Sequence, residues 1–336
     1  MLTVLIVMLF IGAARSFQSK GPRFARAFHQ ARLVMMPEGP EVRSLVDSLQ
    51  YEFVQTHTHE IRNASIMSGR YLRKEPDNFG LLQGTAGPGS VLRDVRCKGK
   101  FIYFLFDDFA IWSTLGMTGG WTTYPHRKHI RFSLTFKNLD QNRLATLYYY
   151  DQRNFGTLKV STEHADLEAK LKSLGYDWLS DDTRPSKEDW LALGQAAAKR
   201  SRPLCVFMMD QKKSAGIGNY VLSEALYRAR IHPFACTSAL DEEGWTALHM
   251  AVQSVLNESY AAQRPIIDEG TGKAQRRHQG KRYKNSDFYF RIYSRSVTSE
   301  GFEVTKMLGT HKRSVFFAPE VQKLFKPEGW SAPGEV

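Results

Sequence analysis

Apolar residues at Val42, Leu45, Val46, Leu49 and Phe53 recur at helical spacing, so residues 41–53 read as one amphipathic helix opened by Pro40. The period then changes. Segments 100–107, 110–115, 130–136, 144–150 and 156–160 are rich in Phe, Ile, Tyr and Leu and broken by Asp, Gly and Asn, which predicts antiparallel strands in a sandwich or barrel. Helical patterns return at 163–174, 187–193, 203–209, 220–227 and 243–260, the last through Leu248, Val252, Val255 and Leu256. Residues 268–285, basic and containing Gly and Gln, read as an exposed loop, and 288–292, 303–308 and 313–317 as a small terminal hairpin. No internal repeat is visible. The expected class is α+β: a helix and an antiparallel β-sandwich, then a helical domain and a hairpin.

Composition narrows the partners. A chain of 336 residues, 42% hydrophobic, has room for two cored domains, and a net charge of +12 favours a polyanion, nucleic acid first. Cys97, Cys205 and Cys236 are too scattered for a disulfide framework and too few for a four-cysteine zinc site, so reduced thiols and no metal are expected. Residues 1–36 look foreign to the fold. An almost unbroken apolar run, 2–14, precedes Lys20, Arg23, Arg26 and Arg32 without any acidic residue. The run is shorter than the ~20 residues that span a bilayer, so a removable organelle-targeting signal, for plastid or mitochondrion, is expected in place of a stable membrane anchor. The alternative is initiation at Met35 or Met36, which leaves a nuclear protein. Beyond this segment the positive charge concentrates near the C-terminus.

The string Pro37-Glu38-Gly39-Pro40-Glu41-Val42 follows Met35-Met36. Taken alone it is an ordinary helix start. With the preceding residues removed, it exposes a secondary amine beside a carboxylate. An α-amino group with pKa near ~7.7–8.0 is partly neutral at physiological pH, and such an amine attacking a sugar C1′ gives an iminium that acts as an electron sink. Glu38 is placed to protonate the ring oxygen and accept protons during elimination. A second string, Asp210-Gln211-Lys212-Lys213-Ser214-Ala215-Gly216-Ile217-Gly218-Asn219-Tyr220, sets a glycine-rich turn before a helix. That turn offers backbone N–H groups and an amide side chain to a phosphate.

Together the two strings resemble the formamidopyrimidine-DNA glycosylase and endonuclease VIII family, over essentially the whole chain from Pro37 to about Leu324. The resemblance implies that Pro37 is the Schiff-base nucleophile and Glu38 the general acid/base. It also implies that Asn219 and Lys212, on a helix-two-turns-helix motif, grip phosphates flanking the lesion. Lys100, in Lys98-Gly99-Lys100-Phe101, matches the family's catalytic-domain lysine. Met117, Arg153 and Phe155 match residues that fill the gap left by an everted nucleotide, offsetting part of the few kcal/mol of lost stacking. Most members close with a four-cysteine zinc finger, whereas no cysteine follows Cys236 here. The tail is instead similar to the zincless finger of plant and fungal members, and Arg313 stands where its DNA-binding arginine does. Asn154, where a second basic residue is common, and Lys213, where an apolar one is common, depart from the pattern.

The implied organisation is a segment 1–36, a catalytic β-sandwich domain 37–162, a helix-two-turns-helix domain 163–264, a basic loop and zincless finger 265–325, and a tail 326–336. The implied activity is that of a bifunctional DNA glycosylase and AP lyase without cofactor, acting as a monomer on damaged duplex DNA. Formamidopyrimidines and 8-oxoguanine are the expected lesions, with oxidised pyrimidines as the alternative. If Pro37 is not N-terminal, the same scaffold is a non-catalytic damaged-DNA-binding protein.

Overall fold

Pro40 stands in the first turn of α1 (Gly39–Gln50), where its missing N–H costs nothing, and Glu38 caps the helix from extended backbone. The helix starts two residues before the expected boundary at 41, because Gly39 and Pro40 carry no periodic apolar side chain. At its other end it runs into a single π turn, Tyr51–Gln55, which keeps Phe53 buried. The structure is a computed structural model and describes residues 37–83, 89–264, 266–268, 273–275, 288–309 and 312–330. The segment 1–36, most of the loop 268–285, and 331–336 of the tail lie outside them.

Strands β1 (His59–Ile66), β2 (Leu92–Lys98), β3 (Phe101–Phe106), β4 (Ala110–Thr114), β5 (Gly119–Thr122), β6 (Ile130–Asn138), β7 (Arg143–Asp151) and β8 (Thr157–Ser161) form two four-stranded antiparallel sheets. Their orders are β1-β6-β7-β5 and β2-β3-β4-β8. One core lies between them, with Ile61, Phe132 and Phe136 from the first sheet and Val95, Phe104 and Val160 from the second. Val42, Leu45 and Leu49 of α1 join the same cluster. Trp121 closes the seam, its ring 5.0 Å from Phe104 and 5.1 Å from Phe132. The sequence reading gives five of these strands; β1, β2 and β5 are added. β1 and β2 carry charged residues through much of their length, and β5 is four residues long with two glycines, so none shows the apolar density that marks the other five.

The helical half comprises α2 (His164–Lys172), the two-residue strand β9 (Tyr176–Asp177), α3 (Lys187–Ala198), α4 (Leu204–Met209), the short strand β10 (Ser214–Ala215), α5 (Asn219–Arg228) and α6 (Glu242–Gln263). Trp178, Trp190, Phe207, Leu222, Leu226 and Val252 centre its core. In packing, α2 belongs with the β-rich half: Leu167 lies against Phe101, Tyr103 and Ala110 on the outside of the second sheet. β9 and β10 pair in parallel, drawing Ser214 and Ala215 beside Tyr176 and Asp177.

The C-terminal part differs from expectation in two places. The expected loop 268–285 holds strand residues at its start, since β11 (Ile266–Asp268) pairs antiparallel with β12 (Lys273–Gln275). The terminal hairpin contains β13 (Thr305–Leu308) and β14 (Ser314–Phe317), but 288–292 is not a strand. Its end is spoken for otherwise: the N–H groups of Arg291, Ile292 and Tyr293 donate to the buried carboxylate of Glu224 at 3.0, 3.0 and 2.9 Å. Among the described residues no helix is long and apolar enough to cross a membrane.

Candidate active site and nucleic-acid interface

Three glycines bring the motif strings together. Gly216 has φ +96°, and a Cβ on it would lie 3.3 Å from the Cα atoms of both Gly39 and Gly99. A Cβ on Gly99, itself at φ +56°, would stand 2.4 Å from the Gly216 nitrogen. Only hydrogen fits at this meeting of α1, the β2–β3 turn and the turn before α5. The Gly39 N–H donates to the Gly216 carbonyl at 2.9 Å. Gln211 braces the turn from within, its amide donating to the Ile217 carbonyl at 2.8 Å and accepting from the Gly216 N–H at 3.0 Å.

The result is a cavity of about 290 Å3 lined by Pro37, Lys100, Leu115, Gly116, Gln211 and Ala215 among others. Glu38 is 2% exposed and caps α5 from outside its own helix, accepting the N–H groups of Tyr220 at 2.9 Å and Val221 at 3.2 Å. Gly218 leaves the room for this: a Cβ there would sit 2.2 Å from the Glu38 carboxyl carbon. Burial pushes the Glu38 carboxyl up to about 7, against the opposing pull of Lys100 and of the two backbone donors. Lys100 donates to the Ile217 carbonyl at 2.8 Å, and burial holds its ammonium below the ordinary lysine range while Glu38 pulls it back. Glu41 accepts the Glu38 N–H at 3.0 Å and bonds to the Tyr220 hydroxyl and the Gln263 amide, which fixes the start of α1 against α5 and α6. A buried carboxyl that is partly protonated near neutrality, next to Pro37, is the combination that general acid chemistry requires.

Met117, Arg153 and Phe155 come from two separate loops and meet at the surface. Arg153 reaches the Met117 sulfur at 3.3 Å, and its guanidinium lies 5.3 Å from the centre of the Phe155 ring, which is 56% exposed. The buried carboxylate of Asp151 organises both loops. One oxygen accepts the Thr118 hydroxyl at 2.7 Å and the Arg153 N–H at 3.1 Å; the other accepts the Gly156 N–H at 2.8 Å. Asn154 adopts φ +58°, a conformation asparagine tolerates better than most residues. Two arginines hold the loop from outside. Arg131 donates to the Asp151 carbonyl at 2.7 Å and the Gln152 carbonyl at 3.2 Å, and Arg70 to the Gly156 carbonyl at 2.5 Å.

The remaining residues singled out from the sequence are placed as follows. Asn219 is buried at the first turn of α5, and its amide donates to the Ser314 carbonyl at 2.6 Å, tying that turn to the hairpin residue next to Arg313. Arg313 is exposed and near enough to depress the Lys100 ammonium. Lys212 is exposed and stands apart, lining a neighbouring cleft with Lys213 and not the cavity of Pro37. Gln211, Glu224, Arg70, Arg131 and Asp151 were not identified as candidates from the sequence. A carboxylate in the apolar run around Glu224 was the available signal, because a buried carboxylate must find donors.

Residues 36–158 match the formamidopyrimidine-DNA glycosylase N-terminal domain family, and 179–269 the formamidopyrimidine-DNA glycosylase H2TH domain family. The formamidopyrimidine-DNA glycosylase of Cytobacillus firmus is 31% identical over 233 residues, 67% of this chain and 78% of that protein. Its counterpart from Shouchella clausii is 31% identical over 240 residues, 68% and 79% of the two chains. Among solved structures, the MutM (Fpg) protein of Thermus thermophilus matches with TM-score 0.66 and 25% identity, covering 85% of this chain and 98% of that one. Lactococcus lactis formamidopyrimidine-DNA glycosylase, non-covalently bound to DNA containing an AP site, shares the fold with TM-score 0.65 and 23% identity over 85% and 99% of the chains.

Proposed function

Because the chain belongs to the formamidopyrimidine-DNA glycosylase family, we propose that it is a DNA glycosylase and AP lyase of base excision repair whose nucleophile is the secondary amine of Pro37. The observation that carries this reading is the buried Glu38 carboxyl, raised to about 7, in the residue next to Pro37, which itself lines a cavity with Lys100. In the chain as written the Pro37 nitrogen is an amide whose lone pair is delocalised, so chemistry belongs to the form that begins at Pro37. A longer form binds damaged DNA without cutting it.

With the lesion everted, Met117, Arg153 and Phe155 occupy the vacated stack. The Pro37 nitrogen attacks C1′, the glycosidic bond breaks and the base leaves with its electron pair, while Glu38 protonates the ring oxygen as the sugar opens to an iminium. The iminium acidifies the C2′ proton; its removal expels the 3′ phosphate, and a second elimination expels the 5′ phosphate. Hydrolysis of the iminium then restores the amine. Lys100 and Arg313 are assigned to phosphates around this centre, and Asn219 with Lys212, the latter in the neighbouring cleft, to phosphates flanking the lesion. Formamidopyrimidines and 8-oxoguanine are the proposed lesions, the former in keeping with the names of the relatives. The enzyme acts as a monomer, and the acid-poor segment 1–36 supports an organellar site of action, plastid or mitochondrion, or a nuclear one when translation starts at Met35 or Met36.

Incubation of Pro37-initiated protein with lesion-bearing duplexes tests the reading. Release of the free oxidised base together with a one-nucleotide gap bearing phosphate at both ends is expected. An intact strand on every lesion and on abasic DNA contradicts it, and a preference for oxidised pyrimidines selects the alternative substrate class.

A further inference from the structure

Three clefts join into one trough. The cavity of Pro37 shares Lys98 and Leu174 with a second cleft of about 360 Å3 that also takes in Lys212 and Lys213. The second shares Leu193, Lys212 and Lys213 with a third, of about 550 Å3, whose wall includes Lys199, Arg200 and Arg202 at the end of α3 and the start of α4. Cationic side chains therefore recur along its whole course, from Lys100 and Lys98 at the cavity to Arg202 at the far end. Among the described residues, Lys199, Arg200, Arg202, Lys212 and Lys213 form no ion pair. Two carboxylates line these three clefts, Asp182 in the second and Asp210 in the third, and Asp210 is engaged with the Lys212 N–H at 3.0 Å. A fourth cleft, which meets the second at Lys98, Asp182 and Thr183, carries Asp47, Asp177 and Asp181 as well and lies off this basic course. Five unpaired cations along one open groove repel one another and contribute no internal bond, so the fold alone does not account for them. A flexible polyanion laid along the groove does.

We infer that this trough is an extended DNA-binding surface that follows the phosphates of the damaged strand outward from the lesion, beyond those held around Pro37. The inference rests on the glycosylase reading, and the strand is identified by continuity: the trough opens from the cavity where Pro37 meets the sugar, so the strand entering that cavity is the one led along it. The footprint is consequently longer on one side of the lesion than the other, and Lys199, Arg200 and Arg202 contribute to affinity only when that flank is present. Each phosphate neutralised adds to the salt dependence of binding through counterion release.

The test compares Pro37-initiated protein with the variant K199Q/R200Q/R202Q on duplexes carrying a tetrahydrofuran abasic analogue. The duplexes are a short one and two longer ones, extended on either side. Wild type is expected to bind one of the extended duplexes more tightly than the short one. The variant loses that gain, and its plot of log affinity against log salt on that duplex becomes shallower by roughly 2–3, about 0.9 per lost contact. On the short duplex the two proteins bind alike and trap alike with borohydride at an abasic site. Equal affinity and equal salt slope of variant and wild type on both extended duplexes overturns the inference. Failure of both proteins to trap on the short duplex instead overturns the catalytic reading, since the flank effect is measured without chemistry. Should the triple variant not fold, Arg200→Gln alone, at an exposed position, is expected to lower the slope by about one.

Discussion

Glu38 is a hydrogen-bond acceptor at a helix terminus and, on the proposed reading, a proton donor to a sugar, and its burial reconciles the two. The N–H groups of Tyr220 and Val221 hold its oxygens in place, while loss of water keeps a proton available up to about pH 7. A carboxyl raised in the folded state from 4.5 to about 7 leaves the native protein more protonated than the unfolded chain between those values, so stability declines as pH rises through that window. Denaturation midpoints of wild type and Glu38→Gln, compared at pH 5 and pH 8, are expected to show wild type losing ground to the variant at the higher pH; parallel behaviour counts against a raised carboxyl. For catalysis, excision by wild type is expected to fall above about pH 7 as Glu38 loses its proton. Glu38→Gln abolishes most base excision and spares much of the elimination on preformed abasic sites. Equal loss of both activities removes the assigned acid role. Pro37 and Glu38 stand out as candidates in the sequence because adjacent residues form a motif. Gln211 and Glu224 act through partners that the chain brings close only after folding, at Ile217 and at 291–293, and a linear pattern has no record of such pairs.

At the scale of elements, the site is made by close approach of turns. Gly218→Ala places a methyl carbon against the Glu38 carboxylate, where a Cβ meets atoms at 2.2 to 2.6 Å. It is expected to cost about 1–3 kcal/mol of stability by overpacking and to reduce excision by displacing the acid. A thermal midpoint and excision rate both equal to wild type would show that the carboxylate is not held where it is described. The loop after β7 is framed from three sides, by Asp151 within and by Arg131 and Arg70 on its carbonyls. Arg131→Gln leaves the Asp151 and Gln152 carbonyls without their charged donor. The expected loss is about tenfold or more in kcat/KM for excision from duplex DNA, partly restored by Arg131→Lys. Cleavage of a single-stranded abasic oligonucleotide, which has no orphaned partner to face, is expected to be unchanged, and an equal loss there makes Arg131 merely structural. The periodicity of the sequence found every long helix and the five most apolar strands. It passed over β1, β2 and β5, whose stability comes from pairing with β6, β3 and β7 and not from their own composition.

Across the whole molecule, buried carboxylates join separate elements. Glu41 links α1 to α5 and α6 through the Tyr220 hydroxyl and the Gln263 amide, and Glu224 anchors the segment leading into the terminal hairpin through three backbone donors. Glu224→Ala strands those donors, each worth roughly 1–3 kcal/mol when left buried and unmet. Amide exchange at 291–293 is expected to accelerate and affinity for abasic duplex to fall through misplacement of Arg313; unchanged exchange contradicts the anchor. The order of domains was visible in the alternation of strand and helix patterns, whereas the closing of α2 onto the β-rich half was not, because Leu167 finds its partners across the second sheet. All of this architecture converges on one nitrogen atom. The most direct measurement is borohydride reduction of Pro37-initiated protein on abasic duplex, followed by mass spectrometry of the cross-linked peptide. The account predicts the deoxyribose remnant on the peptide that begins Pro37-Glu38-Gly39. A remnant on a lysine peptide, or no adduct from protein with a verified Pro37 terminus, contradicts it.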